Sequence, residues 1–263
     1  MLNCTGDPLE NYLRTFGFSV VLLPREGIRP LQVATMKASR RLQTLGDLVD
    51  LFEGVPPPVP AITVSTASNL SGAQSGGLNV GVGLKLLSGA LQAIGVPPLS
   101  GSAGFDKAST MHFEFGDVTI ESAVFLAISK FVGAAGRISN DATIKGMVAA
   151  QSIHVITDVL RARTLLISAE DKNGREAAID VPAIKGLLDG KASVKSTSGT
   201  SSQIALTSAT PLAFGIKAAQ LFLAGRKLSA KLPESDGMTL EANPLFEPDP
   251  LPIYLDPDSV LAG

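Results

Sequence analysis

Between Gly54 and Phe105 the chain carries one charged residue, Lys85, in 52 positions. A flexible, solvated loop of that length normally collects more charge, so a neutral surface loop is the less comfortable reading. Within the stretch Leu78, Val80, Val82, Leu84 and Leu86 alternate with Asn79, Gly81, Gly83 and Lys85. That period of two belongs to a strand with one apolar face. Upstream, Ile62, Val64 and Leu70 are spaced for one face of a second strand, with Thr63, Ser65 and Asn69 on the other and Ser71 to Gly77 as the turn between them. Each strand is about nine residues long, close to the ~9–11 that a tilted strand needs to cross a bilayer. Leu86, Leu87, Ala90, Leu91 and Ile94 also fit a short amphipathic helix.

Elsewhere the pattern mixes short strands with short helices. Asp7 and Pro8 read as the N-cap and first position of a helix from Leu9 to Phe16, closed by Gly17. A strand from Phe18 to Leu23 is expected to end at Pro24, and a second strand runs from Leu31 to Met36. Leu42, Leu45, Leu48, Val49 and Phe52 recur at helical spacing before the Pro-rich connector Val55 to Pro60. Met111, Phe113 and Phe115 alternate with His112 and Glu114, and Val118 to Phe131 reads as the best internal helix. Ile153 to Ala169 is a long strand, and Lys172, Asn173, Gly174 and Arg175 signal a type I′ hairpin returning through Ala177 to Val181. Pro182 opens a short helix ending at Gly190. Ala192 to Ser208 is rich in Ser, Thr and Gly, and Leu212 to Phe222 alternates as a last strand. No repeat of fixed period is present. The class is α+β, a mostly antiparallel sheet with several short helices.

Charge divides the chain. Residues 233–263 hold seven acids (Glu234, Asp236, Glu241, Glu247, Asp249, Asp256 and Asp258) and no Lys or Arg. With 24 acids and 22 bases in all, residues 1–232 keep 17 acids against 22 bases. A cationic body thus carries an anionic strip, which is either an ordinary solvated tail or a cover for surface that attracts membranes or nucleic acids. One cysteine rules out an internal disulfide framework. No signal peptide or helical membrane span is visible, so a cytosolic chain is expected.

Enzyme chemistry finds little support. Two histidines, His112 and His154, with Cys4 do not make a zinc site of usual ligand spacing. There is no GxSxG, no GxxxxGK[ST] and no strand-linked GxGxxG, and Gly81 and Gly83 read as strand glycines. Asp158 and Glu170 read as rim or ion-pair residues, and His112 as facing solvent or packing. Bases are not interleaved with aromatics, which speaks against nucleic acid as a partner. Cys4 is either an incidental thiol or an S-acylation site. Arg40, Arg41, Arg161, Arg163, Arg226 and Lys227 are either solvated charges or contacts for anionic lipid head groups.

Several elements together resemble the bacterial gasdermins. They are Met1 to Cys4 before a short helix, Arg29, Pro30, Leu31 and Gln32 leading into a strand, and Leu45, Gly46, Asp47 and Leu48 before the Pro-rich connector. Two long amphipathic strand regions and a short acidic tail complete the order, and the likeness spans the chain. It implies a twisted, mostly antiparallel sheet ringed by short helices, a pore-forming domain over 1–232 and a linker with an autoinhibitory tail over 233–263. Removal of the tail by a protease, caspase-like or another defence peptidase, is then expected to free a monomer from the cytoplasm. The freed domain assembles into a large ring on anionic lipids of the inner membrane and kills the cell in anti-phage defence.

The resemblance also assigns residues. Cys4 would carry a palmitoyl group, with no other cofactor. Ile62, Val64, Leu70, Leu78, Val80, Val82 and Leu84 would enter the membrane, with Ile153 and Ile167 beside Ile204 and Leu206 as a second hairpin. Arg161 and Arg163 would be costly there unless they faced the lumen or an interface. Leu251, Ile253, Tyr254 and Leu255 would hold the tail to the body. Cleavage is expected between Leu232 and Phe246, a stretch containing Gly237, Met238, Leu240, Asn243 and Leu245. The rival reading is a non-lytic binding or scaffold module regulated by its acidic tail.

Overall fold

The structure is a computed structural model that describes residues 13, 16–36, 41–67, 77–93, 96, 105–180, 184, 192–196, 203–224, 227–232 and 254–255. Its strands are β1 (Ser19–Arg25), β2 (Gln32–Met36), β3 (Arg41–Asp47), β4 (Ile62–Thr66), β5 (Leu78–Asn79) and β6 (Thr110–Gly116). They continue with β7 (Thr119–Ala123), β8 (Ile153–Glu170), β9 (Ala192–Ser196), β10 (Gln203–Ala224), β11 (Lys227–Lys231) and β12 (Tyr254–Leu255). Helices span Val80–Ala93, Phe125–Ala134 and Ala142–Ala149, and Leu48–Leu51 forms a 3₁₀ turn. The sheet runs β1-β10-β8-β2-β3-β12, with β6 and β7 also on β8, β9 and β11 on β10, β5 on β6 and β4 on β7. The ladders β2–β3, β2–β8, β5–β6, β6–β8, β9–β10 and β10–β11 are antiparallel, while β12–β3 is parallel. This is the α+β, mostly antiparallel architecture expected of the sequence.

The chain divides into two compact units. One comprises Met1–Gly27, Ser65–Ile120 and Leu160–Gly215, and the other Ile28–Val64, Glu121–Val159 and Ile216–Gly263. In the first, Met111, Phe113 and Phe115 of β6 are fully buried and lie opposite Ala169, Ile167 and Leu165 of β8. The Phe115 and Phe214 rings approach to 4.9 Å. Gly17, expected to close a helix, has φ 74°, and the amides of Phe16 and Phe18 both reach Leu13 O.

The alternating stretch Leu78 to Leu86 departs from the strand expectation: only Leu78–Asn79 is strand, and Val80–Ala93 is helix. Asn79 Oδ1 accepts the Gly81 amide at 2.9 Å, an N-terminal stop for the strand and start for the helix. Leu86, Leu87, Ala90 and Leu91 are all buried in the core of this unit. Each buried Leu is worth about 1.5–3 kcal/mol, against about 1 kcal/mol lost at each internal glycine. Packing therefore outweighs both the poor helix propensity and the period-two pattern. Gly83 has a steric role as well, because a Cβ there would lie 2.7 Å from Met111 Sδ and 3.0 Å from Met111 Cβ.

The hairpin signal at Lys172 to Arg175 also resolves differently. Gly174 takes φ 71°, but Asn173 is not left-handed, so the turn is not type I′. Asp171 Oδ1 instead accepts the amides of Asn173 at 2.8 Å and Arg175 at 3.0 Å. The return is a single bridge, Glu170 to Glu176, rather than a strand through Val181.

In the second unit the core gathers Leu31, Val33, Leu48, Leu51, Phe52, Ile128, Phe131, Val132, Ile153 and Val155. Phe52 meets Phe131 edge-on, 5.8 Å between centroids. The helix expected over Leu42 to Phe52 is instead β3 followed by the 3₁₀ turn. Gly46 is a poor helix former, the Asp47 amide is caught by Asp50 Oδ2 at 2.9 Å, and the β2 ladder satisfies the strand's backbone. Likewise Val118 to Phe131 divides into β7 and the helix Phe125–Ala134, since β-branched Thr119 and Ile120 join the sheet. Pro24 does not end β1, which runs to Arg25, and Ala192 to Phe222 falls into β9 and a single long β10. β11 had no counterpart in the sequence reading. The helix expected from Pro182 to Gly190 lies outside the described residues apart from Ile184.

Gly83→Val should drive the helix away from Met111 and cost about 1–3 kcal/mol, read as a lower urea midpoint that Met111→Ala partly restores. His154 is 6% exposed, and burial pushes its imidazole below the usual 6.5, partly offset by the Ser152 carbonyl at Nδ1. The unfolded chain then binds the proton more readily, so stability is level above pH 6.5 and falls as pH drops below it. Urea midpoints at pH 7.5 and 5.5 should show that loss in the parent and a smaller one in His154→Gln. Asp141 and Asp171, held low by backbone amides, should add a further loss below about pH 3.8.

Candidate functional site

The tail returns to the sheet. Strand β3 has β2 on one side and, on the other, Tyr254 paired in parallel with Arg41 and Leu255 with Leu42. An edge strand offers a row of unmet amide and carbonyl groups, and an added strand satisfies them. Two residues named separately from the sequence, Tyr254 as a tail contact and Arg41 as a cation of the body, thus sit opposite each other. At the far end of β3, Arg29 Nη2 lies 2.6 Å from Asp47 Oδ2, an exposed pair worth roughly 0–1 kcal/mol.

Of the described residues expected to enter a membrane, seven lie in or against a folded core. Leu78, Ile167, Ile204 and Leu206 are buried with Val80 and Leu84 half-buried against their cluster, and Ile153 is buried in the core of the second unit. Val82 belongs to the helix Val80–Ala93. Ile62 and Val64 are the exceptions, 43% and 66% exposed on β4, whose five residues all face solvent. Val55 and Val59 in the Pro-rich connector are also exposed. The ladder β9–β10 places Val194 opposite Leu206 and Lys195 opposite Ala205, matching apolar with apolar at one position. Ala192 to Ser208 thus pairs largely with itself, and β10 also adjoins β8.

The charged residues of β8 are accounted for individually. Arg161 is only 9% exposed, and its Nη1 donates to the Glu26 carbonyl at 2.9 Å. Arg163 is exposed. Thr210 Oγ1 bonds the Glu26 carboxylate, and Ser208 Oγ reaches Arg163 O. Asp158 accepts the hydroxyls of Ser122 at 2.6 Å and Thr157 at 2.7 Å. His112 Nε2 stands 3.4 Å from Glu170 Oε1. Among the described residues no cluster of His, Cys, Asp and Glu has the makings of a metal site.

Cys4, Arg40, Leu70, Arg226, Gly237, Met238, Leu240, Asn243, Leu245, Phe246, Leu251 and Ile253 lie outside the described residues. Leu232, at the start of the expected cleavage stretch, is 53% exposed, and Lys227 begins β11. Among the described residues no helix is long and apolar enough to cross a membrane, which has no bearing on strands.

A mostly antiparallel sheet with a short C-terminal strand on its β3 edge is the arrangement that the comparisons with known proteins address. The family model for the Bacterial Gasdermin Family matches residues 21–237. The chain is 31% identical over 265 residues to the gasdermin bGSDM of Lysobacter enzymogenes, covering 97% of this chain and 96% of that protein. It is 30% identical over 233 residues to the gasdermin bGSDM of a Desulfuromonadales bacterium, covering 88% and 87%. A solved bacterial gasdermin from Bradyrhizobium tropiciagri shares the fold, with a TM-score of 0.59 at 21% identity over 86% of this chain and 91% of that one. The chain belongs to the bacterial gasdermins, a family of pore-forming effectors and not of enzymes.

Ending the chain before Tyr254 should leave the outer edge of β3 unpaired. Hydrogen exchange at whichever of the Arg41 and Leu42 amides faces β12 is expected to rise by roughly tenfold or more, with β6 unchanged. Equal exchange at β3 in the two forms would show that β12 protects nothing.

Proposed function

We propose that this protein is an autoinhibited pore former, held dormant by its C-terminal tail and set free when a protease cuts between Leu232 and Phe246. The observation that carries the reading is the pairing of Tyr254 and Leu255 on the edge of β3. That contact uses only two residues of strand, so its hold depends on the linker remaining covalent: a tethered segment rebinds at high effective concentration, and a severed one is lost. The acids of the tail also offset the positive body, and their departure leaves a surface attracted to anionic lipid.

Once freed, the body assembles with further copies into a ring on the inner membrane, the resting protein being a cytoplasmic monomer. The inserting strands must pair all their backbone groups and keep charge from the lipid side. The segments 62–70 and 78–84 meet that demand, their one nearby charge being Lys85. The resting helix Val80–Ala93 would have to unwind and extend, exchanging its packing against β6 for lipid contact. A palmitoyl group on Cys4 would add affinity at roughly 0.8 kcal/mol per buried methylene. Arg40, Arg41, Arg226 and Lys227 would meet head groups, and the outcome would be cell death in defence against phage.

Dye release from anionic liposomes tests the reading. Residues 1–243 should leak the vesicles while the full chain is silent. Equal silence from both would favour a scaffold module over a pore.

A further inference from the structure

The unit that contains the tail strand also contains an open cleft of about 460 Å³, lined by Arg137, Ile138, Asn140, Lys145, Val148 and Leu223. Its charged lining is wholly cationic. Among the described residues the Arg137 guanidinium has no hydrogen-bond or ion-pair partner, and Lys145 Nζ donates to Asn140 Oδ1 at 2.7 Å. Neighbouring carboxylates are already engaged with the backbone. Glu53 Oε1 accepts the Asn140 amide at 2.8 Å, and Asp141 Oδ1 accepts those of Thr143 and Ile144 at 2.7 and 3.0 Å. The lining of the cleft thus carries two cations, Arg137 and Lys145, both exposed, beside half-buried Ile138 and buried Val148.

Its position relates it to the two ends of one segment. Leu223 stands opposite Leu228 in the β10–β11 ladder, and the acidic segment departs from β11 at Lys231. Ile138 bridges Phe52, and the Glu53 amide donates to Arg137 O at 2.9 Å, in the chain that follows β3, where the segment arrives at Tyr254. Residues 232–253 join those points, carrying Glu234, Asp236, Glu241, Glu247 and Asp249 and no Lys or Arg. At up to ~3.3–3.6 Å per residue, a segment of that length spans at most about 70–80 Å.

We propose that the Arg137–Lys145 cleft is the receptor for the chain's own acidic segment. Carboxylates from residues 233–253 bind the two cations while Tyr254 and Leu255 pair on β3. The inference rests on the autoinhibition reading above and gives the tail a second, electrostatic point of attachment. Such a contact weakens with salt, whereas the strand pairing does so far less.

The test measures hydrogen exchange at Tyr254–Leu255 in the full-length chain at low salt. Arg137→Glu with Lys145→Glu should raise it several-fold, as should Glu241→Lys with Glu247→Lys and Asp249→Lys. Combining the two sets should restore the parent value, and about 0.5 M NaCl should erase the differences. Unchanged exchange in the single sets, or no restoration in the combination, overturns the proposal. If Arg137→Glu with Lys145→Glu leaves exchange unchanged and abolishes full-length binding to phosphatidylglycerol vesicles, the cleft is a head-group site and the proposal fails. Leakage by the truncated protein is a separate readout. Its absence beside the expected exchange pattern would sink the pore and leave this contact standing.

Discussion

Two long strands hold the other ten described strands in place. β8, with 18 residues, pairs with β10, β2, β6 and β7, and β10, with 22, pairs with β1, β9 and β11 as well. Every other described strand, β12 included, reaches one of the two directly or through one or two neighbours. Ile153 to Thr157 of β8 are buried without a break, so both faces of that segment are covered. A slip of one residue would exchange its faces and lose every ladder built on it, which makes the register of the two strands the condition for the rest.

That arrangement sets what the proposed transition must overcome. Leu78, Ile167, Ile204 and Leu206 serve the resting core, and they are also residues that an inserted barrel would turn toward lipid. On the proposed reading one set of apolar side chains would have two uses, and the resting protein keeps it from water by folding it inward. Insertion cannot be a local opening, because the helix Val80–Ala93 and the β6–β8 ladder share the Met111, Ile167 and Leu86 cluster. Folded domains are stable by only about 5–15 kcal/mol. On the proposed reading, gain of lipid burial and of new neighbours has to exceed that cost.

Sequence reading recovered best the strands marked by a clear alternation or by a long run of branched residues. β6 is the clear case: Met111, Phe113 and Phe115 alternate with half-buried His112 and Glu114, and no other period fits. The long β8 was legible from its length and branched residues. Leu78 to Leu91 was ambiguous, because Leu84, Leu87 and Leu91 recur at helical spacing as well as Leu78 to Leu86 at strand spacing. Asn79 was the discriminating signal, an N-cap with its side chain on Gly81. In β3 the three-residue spacing of Leu42, Leu45 and Leu48 mimicked a helix, and that error concealed the edge on which the tail lands. The tail contact was half visible: Tyr254 and Leu255 stood out as apolar residues in an acidic, Pro-rich strip. Burial of Arg161 left no local trace, since its acceptor, Glu26 O, is 135 residues away. β11 had a faint signal in the alternation of Leu228 and Ala230 with polar neighbours.

Locking the tail strand is the most direct measurement of whether β12 keeps the protein dormant. Adjacent strands bring paired Cα atoms within the ~4.4–6.8 Å that a disulfide spans, so Arg41→Cys with Tyr254→Cys, in a Cys4→Ser background, should bridge β3 and β12. With a protease site inserted between Pro233 and Leu251 and then cut, the oxidised protein should leave dye-loaded liposomes intact, and adding reductant should make them leak. Equal leakage before and after reduction would contradict the claim that this strand pairing holds the protein closed.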